Sequence, residues 1–413
     1  ALAGRATIAR VDGAGVVVNG RAYRLPQRPT VVLVIDGGDP RYLDDALTRG
    51  LMPQLRAMLD AGGAYHVGRG CMPSLTNPNN LSIVTGVAPS LHGVPGNHYL
   101  DPSSGEEVQL SDPKFLRAET VHSGVQRAGG RVLAVTAKDK LRRLLGTGGV
   151  PSISAERAHE LALPELGIED LCQLVGRANP GIYDWDLSSY AMELALAIHR
   201  TAPRDLIYVS LTDYVQHKQA TGGEMADRFF CRFDELLGEY LAEGFSVGIT
   251  ADHGMNAKPR VVYLEDVLTR AGIEAARVVL PITDPYVVHH GALGSFAWVH
   301  VEAADRERAR ESIAALEGVE EVLSREEAAA IFEHPADRIG DLSVTADART
   351  ALGKSRAKHD LSGLGDGLRS HGGRHEQLVP IIMSEPLQED YRVRHAAGMS
   401  SADLHDLVLN GTA

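Results

Sequence analysis

The chain has 413 residues, of which 44% are hydrophobic and 23% charged, and its formal net charge is −13 at pH 7. This length predicts about two to three domains, and the composition is typical of a globular protein with a large buried core. The excess of negative charge argues against a general nucleic-acid-binding or membrane-surface protein. Any anion-binding site in such a chain requires positive charge that is concentrated locally.

The three cysteines, Cys71, Cys172 and Cys231, form no CxxC motif. They predict neither a disulfide framework nor a thiolate metal site, and reduced thiols in a cytoplasmic protein are the simplest interpretation. The first residues lack the pattern of a signal peptide, although a removed one stays open because the chain begins with Ala1. The apolar runs are too short to cross a bilayer. We expect a small-molecule partner, with a homodimer as the assembly to test.

Hydrophobic patterns predict alternating strands and helices along the chain. Residues 16–26 predict a hairpin that turns at Asn19-Gly20. Continuous apolar, β-branched runs predict strands buried on both faces of a parallel sheet, and they lie at 30–36, 131–137, 205–211, 245–251 and 377–383. Amphipathic patterns predict helices at 52–62, 121–130, 190–202 and 226–244. The predicted class is α/β, with a mostly parallel central sheet flanked by helices.

The pattern changes between residues 259 and 365. Shorter runs there predict a strand at 295–301, a charged helix at 304–317 and another strand at 338–346. We interpret this region as a smaller α+β cap domain inserted into the main domain. The main domain then comprises residues 1–258 and 366–413.

Acidic and imidazole side chains lie next to the predicted strands, at the sheet edge where ligands bind in open α/β folds. They are Asp36, Asp213, His217, Asp252, His253 and His371. Asp213 and His217 are four residues apart, so one helical turn places both on one face. Carboxylates and imidazoles without thiolates suit Zn²⁺ or Mn²⁺ in a catalytic site. Six ligands exceed what one ion needs and favour two metals, an arrangement used for phosphoryl transfer.

Each of these residues also has a simpler interpretation. An aspartate at a strand end is usually the N-cap of the next helix, and for Asp36 or Asp252 alone we favour that role. A single histidine is usually an ordinary hydrogen-bonded residue, and this chain has 17. The joint placement of all six favours a metal centre.

Four further residues are candidates for catalysis and substrate binding. Thr76 falls at the start of a predicted helix, where backbone N–H groups favour an anion, although it could simply cap that helix. Lys138 and Lys140 alternate around Asp139 after a predicted strand, so both amines could face one carboxylate-binding pocket or lie in a solvated loop. Asn97 could donate to a phosphoryl oxygen or could be a turn residue.

The order of these segments resembles the alkaline phosphatase superfamily. An aspartate follows the first strand, then come PSLTNPNN (73–80) before a helix, DxxxH, DHG and a late HG. The chain is similar to the nucleotide pyrophosphatase/phosphodiesterase-type branch and, within it, to the phosphonoacetate hydrolases. Further matching segments are VNGRAYRLPQRPTVVLVIDG, HGVPGNHYLD, TAKDKL, PITDPYVVHHGALGS, HPADRIGDL and LRSHGG.

The resemblance implies two zinc ions, with Mn²⁺ or Fe²⁺ as substitutes. One ion would be held by Asp213, His217 and His371. The other would be held by Asp36, Asp252 and His253, with Thr76 as its fourth ligand and as the nucleophile. Asn97 would contact the phosphonate, and Lys138 and Lys140 the carboxylate.

The implied reaction splits the carbon–phosphorus bond of phosphonoacetate, giving acetate and phosphate through a phosphothreonine. One alternative is a phosphodiesterase or nucleotide pyrophosphatase with the same metals, and another is a mutase-like or non-catalytic anion-binding relative. Two departures stand out: Gly38-Asp39, where a bulkier residue and an acid are expected, and His375, a rival to His371.

Overall fold

The computed structural model describes residues 15–282, 291–362 and 367–412. In this part of the chain the strands are β1 Gly15–Val18, β2 Arg21–Arg24, β3 Thr30–Val34, β4 Ala64–Arg69, β5 His98–Asp101, β6 Glu106–Gln109, β7 Val132–Thr136, β8 Ser152–Ser154, β9 Leu206–Ser210, β10 Ser246–Thr250, β11 Asn256–Ala257, β12 Arg260–Tyr263, β13 Arg277–Val279, β14 Phe296–His300, β15 Val319–Ser324, β16 Leu342–Ala346, β17 Thr350–Gly353, β18 Arg369–Ser370 and β19 Leu378–Met383. The α-helices are α1 Pro40–Thr48, α2 Pro53–Asp60, α3 Thr76–Thr85, α4 Pro89–His92, α5 Val121–Arg127, α6 Arg142–Leu145, α7 Leu171–Val175, α8 Leu187–Thr201, α9 Tyr214–Lys218, α10 Glu224–Ala242, α11 Leu264–Arg270, α12 Arg306–Ala314, α13 Arg325–Ile331, α14 Glu389–Arg394 and α15 Leu404–Asp406. Most of the matching segment PITDPYVVHHGALGS, at 283–290, lies outside the described residues.

The central sheet has seven strands in the order β4-β19-β10-β3-β9-β7-β8. Strands β10, β3, β9, β7 and β8 run parallel, which confirms the predicted α/β class with a mostly parallel sheet. The prediction that residues 377–383 continue the parallel set is wrong, because β19 is antiparallel to both of its neighbours. An apolar run indicates that a strand is buried on both faces, but it does not indicate whether the strand is parallel or antiparallel to its neighbours.

The sheet is buried because side chains on opposite faces enter two different apolar cores. In β3, Val31 and Leu33 pack with α1, α2, α8 and α10, whereas Val32 and Val34 pack with α3, α5 and the β1–β2 hairpin. The predicted hairpin turn is confirmed, since Asn19 and Gly20 have φ values of 50° and 83°, as a two-residue hairpin turn requires. Within the described residues, we find no helix long and apolar enough to span a membrane.

A second sheet, in the order β13-β14-β16-β15, is fully antiparallel. The strands predicted at 295–301 and 338–346 and the helix predicted at 304–317 appear here as β14, β16 and α12. Ala297 and Val299 of β14 pack against α11 and α12, whereas Phe296 and Trp298 join the core beneath α3. The division into a main domain and a cap domain at 259–365 stays a prediction.

Candidate metal centre

The strand order of the central sheet brings the predicted ligands to one edge. β10, β3 and β9 are adjacent and parallel, so Asp252, Asp36 and Asp213 follow three neighbouring strand ends. His371 comes before β19, and it reaches the same edge because β19 is antiparallel to β10. A parallel last strand would have placed His371 at the opposite edge.

Asp213, His217 and His371 form the first group, with ligand atoms within 4.8 Å of one another. Nε2 of His217 lies 2.9 Å from Oδ2 of Asp213, and Nε2 of His371 lies 3.9 Å from the same oxygen. Asp213 is the N-cap residue of α9, and His217 lies four residues later within that helix. All three side chains are buried, and together they could hold a metal ion.

Asp36, Asp213 and His253 form the second group, within the same 4.8 Å limit, so Asp213 belongs to both groups. Nε2 of His253 lies 3.2 Å from Oδ1 of Asp36 and 3.7 Å from Oδ2 of Asp252. Both oxygens of Asp252 also accept hydrogen bonds, Oδ1 from the backbone N–H of Gly37 and Oδ2 from Asn80 Nδ2. Asp252 is therefore a fixed neighbour of the second group, and its role as a ligand stays a prediction.

The three imidazoles are oriented by backbone carbonyl groups. Nδ1 of His217 lies 2.7 Å from the carbonyl oxygen of Arg369, and Nδ1 of His371 lies 2.7 Å from that of Ser74. Nδ1 of His253 lies 3.0 Å from the carbonyl oxygen of Gly254. A hydrogen bond through each Nδ1 leaves Nε2 as the nitrogen that faces the carboxylates, which is how metal-ligating histidines are usually oriented. The rings of His253 and His371 stack with centroids 3.5 Å apart, so the two groups are adjacent.

Three buried carboxylates in one place require positive charge. Burial and the charge of Asp36 raise the pKa of Asp252 well above its ordinary value. Burial alone would lower the pKa of His253, but the carboxylates of Asp252 and Asp36 outweigh it and raise that pKa to about 9. Burial, with the nearby charges of His253 and His217, lowers the pKa of His371 well below its ordinary value, so its imidazole is neutral. The carboxylates thus create a site that attracts cations and is lined by neutral and protonated imidazoles.

The helix-cap interpretation of the aspartates does not describe the structure. The N-cap of α1 is Asp39, whose carboxylate accepts a hydrogen bond from the backbone N–H of Arg41. Asp36 is not the cap, and its buried Oδ1 faces Nε2 of His253 at 3.2 Å. Gly38 is needed because a Cβ there would lie 2.7 Å from the carbonyl oxygen of Ile35. The Gly38-Asp39 departure therefore serves the chain turn and the helix cap and leaves the metal centre intact.

Thr76 lies beside the second group. It is the first residue of α3, and the N-cap position belongs to Leu75, which makes no capping hydrogen bond through its side chain in the described structure. Oγ1 of Thr76 lies 3.4 Å from Nε2 of His253. Thr76 is 4% exposed, and its hydroxyl faces a predicted metal ligand, His253, instead of capping the helix. Its role as nucleophile stays a proposal.

Asn97 and Lys138 are both buried beside the centre. Oδ1 of Asn97 accepts a hydrogen bond from the backbone N–H of Asn77, which fixes its amide against the start of α3. Nζ of Lys138 donates to Oδ1 of Asp213 at 2.8 Å, so it directly contacts a predicted metal ligand.

Lys140 differs from its sequence prediction. The expectation that Lys138 and Lys140 alternate along an extended segment is wrong, because Asp139–Leu141 form a 3₁₀ turn. Whether both amines reach one substrate stays a prediction.

His375, the rival to His371, lies outside this arrangement. Its Nε2 is 2.8 Å from Oε1 of Glu320, and its side chain is 41% exposed. His371 is 2% exposed and belongs to the first group. The geometry therefore favours His371.

Two supporting residues were not identified from the sequence. Asn80 donates to Oδ2 of Asp252, and its Oδ1 accepts a hydrogen bond from the hydroxyl of Tyr208 at 2.8 Å. Tyr208 is fully buried in β9. The only sequence signal is that Asn80 lies one helical turn after Thr76, on the same face of α3. Asn80 and Tyr208 together hold Asp252 in position.

These residues fit a metal centre. Buried carboxylates crowded into one site, together with three imidazoles oriented through Nδ1, are the kind of donor set that divalent cations prefer. The structure thus contains histidine–aspartate groups able to bind metal.

Comparison with known proteins agrees with this geometry. Residues 30–375 match the model of the type I phosphodiesterase / nucleotide pyrophosphatase family. Structures of phosphonoacetate hydrolase from Sinorhizobium meliloti 1021, in complex with phosphonoformate and with phosphonoacetate, are 42% identical, with a TM-score of 0.91. The alignment covers 98% of this chain and 100% of that enzyme. Murine ectonucleotide pyrophosphatase/phosphodiesterase 5 shares the fold, with 17% identity, a TM-score of 0.64, and coverage of 94% and 96% of the two chains.

A curated relative is an ectonucleotide pyrophosphatase/phosphodiesterase of Caenorhabditis elegans, 26% identical over 263 residues. That match covers 61% of this chain and 29% of the nematode protein, so the chain spans only about a third of the length of such relatives. The family match extends from β3 past His371, and therefore includes every predicted metal ligand. The chain belongs to the type I phosphodiesterase / nucleotide pyrophosphatase family, a branch of the superfamily that its motifs resemble.

Proposed function

We propose that the chain is a di-zinc hydrolase that cleaves the carbon–phosphorus bond of phosphonoacetate, giving acetate and phosphate. Two findings together carry this proposal. The chain matches phosphonoacetate hydrolase over nearly its whole length at 42% identity, and the six predicted ligands converge beside Thr76. Asp213, His217 and His371 would hold one ion. Asp36, Asp252 and His253 would hold the other, and Mn²⁺ or Fe²⁺ are substitutes of suitable chemistry.

The bound metals would supply Lewis acidity, polarising the phosphonate and favouring ionised oxygen nucleophiles. The residues of the chain itself position the nucleophile and the substrate. Thr76 begins α3, so the first N–H groups of that helix and its dipole favour negative charge at the same place. Asn97 is held against the same helix start, which supports its proposed contact with the phosphonate.

The reaction proceeds in two displacements. Oγ1 of Thr76 gives up its proton to water and attacks phosphorus, the bond between phosphorus and carbon breaks, and its electrons leave as the enolate of acetate, which takes a proton from water. Water then attacks phosphorus and loses a proton, the bond from phosphorus to Oγ1 breaks, Oγ1 takes up a proton, and phosphate is released. Carbon is a poor leaving atom, so stabilisation of the developing enolate charge lowers the barrier. Lys138 and Lys140 are the candidates for that role.

The two lysines are not equivalent probes of substrate binding. Lys138 donates to Asp213, so its removal disturbs the metal centre as well as any contact with substrate. Lys140 lies two residues further, in the 3₁₀ turn, and is half-buried. A variant at Lys140 therefore tests recognition of the carboxylate without removing the ion pair of Lys138 with Asp213.

The experiment compares phosphate release from phosphonoacetate with hydrolysis of an aryl ester of methylphosphonate and of an aryl phosphodiester. Neither ester carries a carboxylate. We expect phosphonoacetate to give the highest kcat/KM. We expect Lys140→Met to lower kcat/KM about 10- to 100-fold for phosphonoacetate, the value of one charge-assisted hydrogen bond, and to affect the aryl esters little. Lys138→Met should impair all three substrates.

An aryl phosphodiester that is turned over faster than phosphonoacetate would instead favour the second candidate, a phosphodiesterase or nucleotide pyrophosphatase. The family match itself supports that candidate, because the family is named for those activities. If Lys140→Met lowers kcat/KM equally for all three substrates, Lys140 does not recognise the carboxylate.

A further inference from the structure

A cavity lies near His217, on the side of the imidazole that carries Nδ1. Its volume is about 750 Å³, and its wall includes Arg369, whose carbonyl oxygen accepts the hydrogen bond of His217 Nδ1. Tyr42, Met255 and Leu368 supply apolar parts of the wall. The candidates for substrate contact, namely Thr76, Asn97, Lys138 and Lys140, do not line it. The cavity is therefore separate from the proposed catalytic pocket.

The charge of this cavity is opposite to that of the protein. Arg41, Lys218, Arg349 and Arg369 line it, and none of the described residues in its wall is acidic. The whole chain carries a net charge of −13. Such a local concentration of positive charge beside a low-dielectric wall attracts anions.

Not all of the four cations are available to a ligand. Arg41 forms a bidentate ion pair with Asp39, which neutralises its charge locally. Arg369 is different, because its Nε donates to the carbonyl oxygen of Gln216 at 2.8 Å and its Nη2 donates to the hydroxyl of Tyr42 at 3.0 Å. Both of these acceptors are uncharged, so the guanidinium keeps its full positive charge.

Lys218 and Arg349 add two further charges. Neither makes an ion pair with any residue of the described ranges, and Nζ of Lys218 lies 5.9 Å from the centroid of the Tyr214 ring. A guanidinium already fixed by two hydrogen bonds loses little conformational freedom when it binds an oxyanion. The cavity thus combines one preorganised cation with two adaptable ones.

We propose that this cavity binds a small anion with at least two negative charges, a phosphate or a dicarboxylate, at a site distinct from the metal centre. The guanidinium fork of Arg369 matches the paired oxygens of either group, and Lys218 and Arg349 balance the remaining charge. The site also has a route to the metal centre, since the same residue that binds the anion orients His217 through its backbone carbonyl. If the proposed function holds, phosphate is a product of the reaction. Because of this contact, we expect phosphate to inhibit turnover by a mixed mechanism and not by competition with substrate alone.

Equilibrium dialysis of the metal-loaded protein against labelled inorganic phosphate tests the site directly. We expect two phosphates per chain in the wild type, one at the metal centre and one in the cavity, and one phosphate in the Lys218→Gln/Arg349→Gln variant. The matched control is Lys114→Gln/Arg56→Gln, which removes one lysine and one arginine from exposed positions outside the cavity and should still bind two. Addition of excess succinate distinguishes the sources, because it displaces the cavity phosphate only if the site accepts dicarboxylates.

A wild-type stoichiometry of one, or two phosphates retained by the cavity variant, overturns the proposal. Loss of the second phosphate in the control variant also overturns it, since the effect would then be one of overall charge. The dialysis needs no turnover, so its outcome is independent of whether phosphonoacetate is the substrate. All four substituted side chains are at least partly exposed, so the variants are expected to fold.

Discussion

Replacing Thr76 with alanine is expected to lower kcat on phosphonoacetate by about ten-thousand-fold or more, the scale seen when a covalent nucleophile is removed from a preorganised site. The expectation follows from the position of its hydroxyl, which is buried, does not cap α3 and lies 3.4 Å from Nε2 of His253. Metal content should change little, because Asp36, Asp252 and His253 remain. The measurement is single-turnover phosphate release together with metal analysis of the same sample.

Thr76→Ser is the matched control for that experiment. It keeps an oxygen nucleophile at the start of α3, and we expect it to retain measurable turnover and to form a phosphorylated protein that mass spectrometry detects. Thr76→Ala should form none. Phosphate release by Thr76→Ala at more than about a tenth of the wild-type rate would contradict covalent catalysis, because water would then be attacking phosphorus directly.

Replacing His371 with alanine is expected to remove about one metal ion per chain and to abolish activity. His371 supplies one of the three side chains in the first group, and its Nδ1 is held by the carbonyl oxygen of Ser74. Loss of one of three protein ligands weakens a catalytic metal site strongly. The second group does not contain His371, so its ion should stay. Metal analysis after gel filtration checks both statements.

His375→Ala is the matched control, since it removes an imidazole four residues away. Its ring pairs with Glu320 at an exposed position, where an ion pair contributes about 0–1 kcal/mol. We expect unchanged metal content and activity within about twofold. Metal loss in His375→Ala with full metal in His371→Ala would reverse the ligand assignment.

The sheet and most of the candidate ligands could be predicted because their signals are local. Continuous apolar runs mark the buried strands, and the polar residues that end them fall at the sheet edge where ligands bind. The direction of β19 had no such signal, although it decides whether His371 reaches the centre. β4 gives a weaker signal than the central strands, because it is an edge strand, mostly half-exposed, with a mixed sequence in place of a continuous apolar run.

The supporting contacts could not be predicted because they join residues far apart in the chain. Asn80 and Tyr208 are separated by 128 positions and meet only after α3 packs on the sheet. Likewise, the ion pair of Lys138 with Asp213 depends on β7 lying beside β9. A sequence shows which chemistry is available, whereas the pairing of buried partners follows from the packing of distant elements.

X-ray diffraction from crystals of the zinc-loaded protein, recorded on both sides of the zinc absorption edge, tests the metal centre most directly. We predict two anomalous peaks per chain, one among Asp213, His217 and His371, and the other beside Asp36, His253 and the hydroxyl of Thr76. Anomalous peaks at other places, or a protein that binds no zinc among these side chains, would contradict the proposed centre and the chemistry built on it.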